Sequence, residues 1–263
     1  MLHFGLIGAH LGHSLSVPIH EAVFRRLGID ADYRLVEIPR EALIVRAAAL
    51  LDELDGFNVT IPYKQDVMPI LASLDPAAER IGAVNTIRCG DRAGFNTDAP
   101  GFAAMLRLHG MDPAGQRCFV LGTGGASKAI AAALSDMGAA EITLVSRTAR
   151  EGVIGYDVLP EVFSGLLINC TPAGMWPRVD ACPLTEEALR VILPRATGVA
   201  DIVYNPPQTR LTLAADAAGV PACTGLAMLI AQAVEAEKRW LAPHGIAVPD
   251  DMTDILLKEL KLL

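Results

Sequence analysis

The stretch RCFVLGTGGASKAIAAALSDMGAAEITLVSRT (117–148) decides the fold. It opens on an apolar, β-prone run, RCFVLG (117–122), that leads into a glycine-rich turn, GTGGAS (122–127). An Ala-rich helical pattern follows to Met137 and Gly138, and then a second strand-like run, EITLVS (141–146). Strand, turn, helix and strand at this spacing predict a parallel βαβ unit, since parallel neighbours need a crossover of a dozen or more residues. Small residues in the turn let backbone approach a ligand closely. The free N–H groups of the helix N-terminus suit a pyrophosphate. The alternative is a tight turn with no ligand; the strands and helix around it favour a nucleotide site.

Cofactor type is read at the end of the second strand. An NAD site places Asp or Glu there for the ribose 2′-hydroxyl. Here the strand ends in Ser146-Arg147-Thr148, with Arg150 beyond, and Glu141 lies at the wrong end. Guanidinium forks suit a 2′-phosphate, so the residues point to NADP over a merely solvated basic loop.

Outward from this unit the alternation continues. HFGLIG (3–8), YRLVEI (33–38), GFNVTI (56–61) and AVNTIR (83–88) read as strands, separated by helices over 17–27, 40–54 and 63–74. GLLINC (165–170) and TGVADIVY (197–204) read as later strands. The end is helical, over 225–241 and 250–260, with Met252, Ile255, Leu256 and Leu260 on one face. The fold class is α/β, with parallel pairing and helices on both sheet faces. No composition break marks a linker, and a second α/β unit is placed near residue 101 by motif order alone.

Composition narrows the function classes. The 263 residues carry 22 Lys plus Arg against 30 Asp plus Glu, a formal net charge of −8, which disfavours nucleic acid. Five scattered cysteines with no C-x-x-C speak against a disulfide framework or structural zinc and fit a reducing compartment. The start lacks a basic leader, and the longest uncharged run (217–234) is broken by Gly219, Pro221 and Gly225. A soluble cytoplasmic enzyme without a membrane span is the expectation. His10, His13 and His20 show no ligand face, so no metal is expected.

Four polar strings lie near strand ends: LGHSLS (11–16), NVTIPYK (58–64), GAVNT (82–86) and FNTD (95–98). Ligands of open α/β sheets sit there, and hydroxyls and amides from several strand ends suit a polyhydroxylated acid. Singly, each has a plainer reading: Ser16 can cap helix 17–27, and Asp98 the helix from Ala99. Lys64 is harder to set aside. With Pro62 before it, it is placed in the first turn of helix 63–74, where the macrodipole disfavours a cation and favours proton release. Asp98 is the carboxylate available to hold it.

These strings, with GTGGAS, SRT, NCTPAGM (169–175), DIVYNPP (201–207) and GLAMLIAQA (225–233), resemble the shikimate dehydrogenase family, in the family's order and over nearly the whole chain. The resemblance implies a substrate domain (1–100 plus 225–263), a Rossmann-type, doubly wound NADP domain (101–224), and C-terminal helices returning to the first. It implies Lys64 and Asp98 as the catalytic pair. Ser14 and Ser16 would take the substrate carboxylate, and Thr60, Asn85, Tyr204 and Gln232 the rest of the substrate. It assigns Gly122, Gly124, Gly125, Ala126, Ser127, Ser146, Arg147, Thr148, Arg150, Thr171 and Met228 to NADP(H). Met228 and Trp240 also fit plain packing of a helix face. The partners implied are a small-molecule substrate and cofactor, in a monomer or homodimer.

Two departures stand out. Ser146 replaces the family's Asn before Arg147, and only twenty residues (149–168) separate Thr148 from Asn169. The family places a crossover helix there. Gly152, Gly155 and Pro160 leave room for a short strand at VIGYDV but not for that helix, so part of one sheet face is expected uncovered and polar, neighbour-covered or mobile. Weaker or less selective cofactor binding would follow. The competing functions are a quinate-type paralogue and a non-catalytic sensor; retention of both Lys64 and Asp98 disfavours the latter.

Overall fold

The computed structural model describes residues 1–12 and 14–259, so the expectations for His13 and Leu260 fall outside the described residues. The chain forms two units, Met1–Gly101 with Ile230–Leu263, and Phe102–Leu229.

In the first unit, β1 (Leu2–Gly8), α1 (Ser16–Leu27), β2 (Ala31–Glu37), α2 (Leu43–Glu53) and β3 (Gly56–Val59) alternate as their patterns predict. A single 3-10 turn at Arg40–Ala42 precedes α2. β1 pairs in parallel with β2 on one side and β3 on the other. Beyond β3 come β4 (Ser73–Leu74), α3 (Pro76–Ile81), β5 (Thr86–Arg88) and β6 (Ala93–Phe95), giving the order β2-β1-β3-β5-β6-β4.

Three features here differ from the sequence expectation. First, β5 runs antiparallel to both β3 and β6, so the sheet is mixed. Residues 89–92 alone join β5 to β6, too few for a crossover, and only a hairpin fits. Second, the helix over 63–74 is replaced by turns, one 3-10 turn at Met68–Ile70, and β4. Pro69 would fall inside such a helix, where it lacks an N–H and its ring clashes with the carbonyl four residues back. The Lys64 carbonyl accepts from the Val84 N–H at 2.7 Å instead. Third, α3 is absent from the sequence expectation, although its signals are present. Asp75 Oδ1 accepts from the Ala77 N–H at 3.0 Å, Pro76 is the first helical residue, and Gly82 follows the last.

The period of two along β1 sends Phe4 and Leu6 to one core and Ile7 to the other. Ile7 packs with Leu50, Phe57, Val59 and Tyr63. Phe4 and Leu6 pack with Phe24, Tyr33 and Trp240. The Trp240 Nε1–H donates to the Ile87 carbonyl at 2.8 Å. A Cβ on Gly56 would lie 2.3 Å from that nitrogen, so only glycine lets the indole lie on the strand.

α4 (Asp98–Leu108) leads into the second unit, which contains β7 (Arg117–Leu121), α5 (Gly125–Asp136), β8 (Glu141–Ser146), β9 (Val153–Gly155), α6 (Leu159–Val162), β10 (Gly165–Asn169), α7 (Glu186–Ile192), β11 (Ala196–Asp201), α8 (Arg210–Ala217) and β12 (Ala222–Cys223). All pairings in the sheet are parallel, in the order β12-β11-β10-β7-β8-β9. Read from the β9 edge, this is third, second, first, fourth, fifth, sixth: the doubly wound order, with its switch point between β7 and β10. α9 (Leu226–Leu241) and α10 (Met252–Glu259) are the last described helices. Both divisions between the units fall inside helices, α4 and α9, which is why no linker composition marks them.

The short interval 149–168 holds β9 and the four-residue α6, with no helix of three turns. β9 can follow β8 without a long crossover because it pairs only with the C-terminal end of β8, Leu144 facing Val153. Arg150 and Val153 exchange backbone hydrogen bonds at 3.0 and 2.8 Å, closing the tight turn between. On the sheet face shared with Phe119 and Leu121, Val145 is fully buried. Ile142 and Leu144 point to the opposite face and are only half-buried. That face is apolar, where a polar one was among the expectations.

Candidate active site

In the first unit, Lys64 follows β3 in a turn and Asp98 opens α4. Lys64 Nζ donates to Asp98 Oδ2 at 2.5 Å, with the side chains only 15% and 8% exposed. Since no helix starts at Pro62, the macrodipole argument for Lys64 fails; Asp98 itself fixes the ammonium. Asp98 is free to do so because it does not cap α4. Asn96 does, its Oδ1 accepting from the N–H groups of Asp98 at 3.1 Å and Ala99 at 3.3 Å.

Asn85 locks the other carboxylate oxygen. Its Nδ2 donates to Asp98 Oδ1 at 2.8 Å and to Thr97 Oγ1 at 3.0 Å, and its Oδ1 accepts from the Thr97 N–H at 2.7 Å. Thr97 Oγ1 also reaches Gln232 Oε1 on α9 at 3.5 Å. Lys64, Asp98, Asn85 and Gln232 are thus one connected group. Ser14 Oγ donates to Ser16 Oγ at 3.0 Å and accepts from the Ser16 N–H at 3.2 Å, so Ser16 is not the helix cap. Thr60 lies beside the end of β1, where a Cβ on Gly8 would meet its methyl group. Tyr204 belongs to the second unit and is half-buried, which pushes its hydroxyl pKa up.

Sequence reasoning missed the layer beneath. Tyr33 donates to Asn58 Oδ1 at 2.8 Å, and Asn58 Nδ2 donates to the Asn85 carbonyl at 3.1 Å and Thr86 Oγ1 at 3.0 Å. Burial, and then the charge of Glu237, push the Tyr33 hydroxyl well up; a hydrogen bond with Ser16 opposes them. His20 stacks on Tyr33 with ring centroids 4.0 Å apart, and its Nδ1 lies 2.5 Å from Glu237 Oε1. Both side chains of that pair are fully buried, and burial raises the Glu237 pKa. Asn58 had a visible signal, a polar residue in an apolar strand. The His20–Glu237 pair, 217 positions apart, had none. Among the described residues no group of three His, Cys, Asp or Glu side chains is placed to hold a metal.

In the second unit the cofactor candidates other than Met228 lie at the carboxyl ends of β7, β8 and β10. Gly122 has φ +109°, and a Cβ there would press on Ser127 Oγ and the Cys170 carbonyl. Gly124 precedes α5 with no side-chain cap, and the first turn, with Gly125, Ala126 and Ser127, has no acidic residue. Ser127 Oγ is buried with no hydrogen-bond partner. Burial pushes the neighbouring Cys170 thiol far up, leaving it an uncharged wall of the turn. Arg147, Thr148 and Arg150 are exposed past β8, where Ser146 Oγ accepts from the Thr148 N–H at 3.5 Å. Tyr156 is pushed up by burial and drawn down by the nearby Arg147 charge. Thr171 Oγ1 donates to Asn169 Oδ1 at 2.7 Å. Met228 is 7% exposed, a buried position on α9. Free helix N–H groups, an orphaned hydroxyl and two exposed guanidinium groups fit a phosphorylated dinucleotide.

A family model described as the shikimate dehydrogenase substrate binding domain matches residues 6–87. The shikimate dehydrogenase (NADP(+)) of Clostridium beijerinckii is 39% identical over 253 residues, covering 91% of this chain and 92% of that protein. The protein of the same name from Haloarcula marismortui is 41% identical over 275 residues, covering 97% and 98%. Among solved structures, a chorismate mutase/shikimate 5-dehydrogenase fusion protein from Clostridium acetobutylicum has a TM-score of 0.91 at 35% identity, covering 99% of this chain and 97% of the other. Shikimate 5-dehydrogenase from Thermus thermophilus, in complex with NADP(H) and shikimate, has a TM-score of 0.84 at 33% identity, covering 97% and 98%.

Proposed function

The chain belongs to the shikimate dehydrogenase family, and on that premise we propose that it catalyses the reversible, NADPH-dependent reduction of 3-dehydroshikimate to shikimate. The observation that carries this is the Lys64–Asp98 pair with Asn85 on its far oxygen. Bound NADPH supplies the hydride that reaches the substrate carbonyl carbon. Lys64 Nζ donates the proton to the oxygen left behind and stabilises its developing charge, while Asp98 and Asn85 keep the ammonium aimed. In the oxidative direction Lys64 takes that proton back.

Ser14 and Ser16 bind the substrate carboxylate through paired hydroxyls. Thr60, Asn85, Gln232 and Tyr204 hold the ring hydroxyls. The unit built on Met1–Gly101 is the substrate domain and Phe102–Leu229 the NADP domain, with the Gly122–Ser127 turn and Thr171 on the pyrophosphate and nicotinamide side. Ser146, Arg147, Thr148 and Arg150 take the 2′-phosphate. Among the described residues no helix is long and apolar enough to cross a membrane, and we place the enzyme in the cytoplasm as a monomer or homodimer.

Purified protein incubated with shikimate or quinate, and with NADP or NAD, tests the reading by formation of reduced nicotinamide. Turnover with shikimate and NADP above all other combinations is expected. Faster turnover with quinate would make it the paralogue, and no turnover in any mixture would make it a sensor.

A further inference from the structure

Asp201 ends β11 and Asn169 ends β10, and the two are direct partners in the parallel register. Both side chains are fully buried. Asp201 Oδ1 accepts from Asn169 Nδ2 at 2.9 Å and from the Val203 N–H at 3.0 Å; Oδ2 accepts from Thr209 Oγ1 at 2.8 Å. No cation is among these donors. Burial pushes this carboxyl up to about 6, against three hydrogen bonds that pull it down. A desolvated carboxylate is an expensive way to join two strands, and an apolar pair would serve packing better. What Asp201 provides at this place is an oxygen acceptor aimed at the Asn169 amide.

We propose that Asp201 is a positioning residue for the cofactor site, acting through the side-chain amide of Asn169 on Thr171. Asp201, an acceptor only, takes the Asn169 NH2 at 2.9 Å, with the Ala173 carbonyl as a longer second acceptor at 3.4 Å, and so keeps the Asn169 Oδ1 facing the loop. Asn169 Oδ1 then takes both the N–H of Thr171, at 3.0 Å, and its hydroxyl proton, at 2.7 Å. Thr171 Oγ1 in turn accepts from the Ala173 N–H at 3.3 Å. The half-buried hydroxyl has already committed its proton and offers a ligand only a lone pair. The ligand group it takes is therefore a hydrogen-bond donor, such as a primary carboxamide. The same carboxylate, through Val203 and Thr209, ties down the loop that carries Tyr204.

The inference rests on the cofactor role proposed for this loop, and a binding titration separates the two. NADPH and shikimate are titrated into wild type, Asp201→Ala, Asp201→Asn and Asn169→Ser, with circular dichroism to confirm folding. Asp201→Ala is expected to raise the NADPH Kd about tenfold or more, the loss of one oriented hydrogen bond, and, because it also frees the Tyr204 loop, to lower shikimate affinity by a smaller factor. Asn169→Ser breaks the relay at its middle, keeps Asp201 bound to Val203 and Thr209, and should show the same loss if Asp201→Ala does not fold. Asp201→Asn still presents an amide oxygen to Asn169 and should stay within about threefold of wild type. An NADPH Kd within about twofold of wild type in either disrupting variant, an Asp201→Asn loss as large as that of Ala, or a loss of shikimate affinity in Asn169→Ser equal to its loss for NADPH, overturns the inference. Wild type that binds no NADPH overturns the cofactor reading itself.

Discussion

The two candidate regions are built on opposite plans. Around Lys64 in the first unit, polar groups are already bonded to one another: Lys64 to Asp98, Asp98 to Asn85, Asn85 to Thr97, and Asn58 to Tyr33. Around the glycine turn of the second unit they are left open, with an uncapped helix, an orphaned Ser127 hydroxyl and exposed arginines. The difference is what the proposed roles of the two regions would require. A group that delivers a proton in the transition state has to be aimed beforehand, because reorganisation then would add to the barrier. A site for a ligand that brings its own phosphates needs only donors in waiting.

The largest expected effect tests the first plan. Lys64→Ala should lower kcat by about 10²- to 10⁴-fold, the range for loss of a general acid, while leaving the circular dichroism spectrum unchanged. Near-normal turnover would remove Lys64 from the mechanism. Next is the layer beneath. His20→Leu leaves Glu237 buried without its partner and should cost about 3–5 kcal/mol in urea unfolding at neutral pH. Removing His20 also removes the influence that lowers the Glu237 pKa and leaves burial, which raises it. With the folded pKa above the unfolded one, the native variant binds the extra proton, so its deficit shrinks as pH falls. A deficit that grew toward acid pH would contradict this assignment.

The second plan predicts a smaller, ligand-specific effect. Arg147→Ala should weaken NADPH binding about 10- to 100-fold, as expected for lost charge-assisted hydrogen bonds to a phosphate, and leave NADH binding within about threefold. The short 149–168 interval bears on the same measurement. The chain past β8 turns back at Arg150–Val153 with no helix in that interval, so under the proposed assignment selectivity for the 2′-phosphate would rest on Arg147, Thr148 and Arg150. Equal losses for NADPH and NADH would place Arg147 elsewhere in the site.

Legibility in the sequence follows the range of the forces involved. The βαβ unit at 117–148 was readable because its determinants are local: apolar runs, a glycine turn, and a helix of known length. The polar strings were readable in order, and the structure brings Lys64, Asn85 and Asp98 from three of them together. β5 was legible within AVNTIR (83–88), but the three residues of β6 are too few for a period, and so the antiparallel hairpin was hidden. The false helix at 63–74 came from apolar spacing that Pro69 overrides. Tyr33–Asn58 and His20–Glu237 join positions far apart in the chain, and no local pattern announces such a pair.

The smallest effect concerns the sheet face left half-covered where the crossover helix is missing. Leu144 and Leu167 are the same residue type in the same sheet, yet Leu167 is fully buried in the core while Leu144 is half-exposed on the other face. Leu167→Ala should cost about 2–5 kcal/mol, the usual range for a core leucine. Leu144→Thr gives up only part of a leucine's transfer free energy and leaves no closed cavity, so about 1 kcal/mol or less is expected. If that face is bare in solution, the Leu144 cost is independent of protein concentration. If a second copy covers it, the cost rises toward that of Leu167 and varies with concentration, because folding and association are then linked. Urea unfolding of both variants at two protein concentrations tells these apart, and an equal, concentration-independent cost at the two sites would mean that Leu144 is core after all.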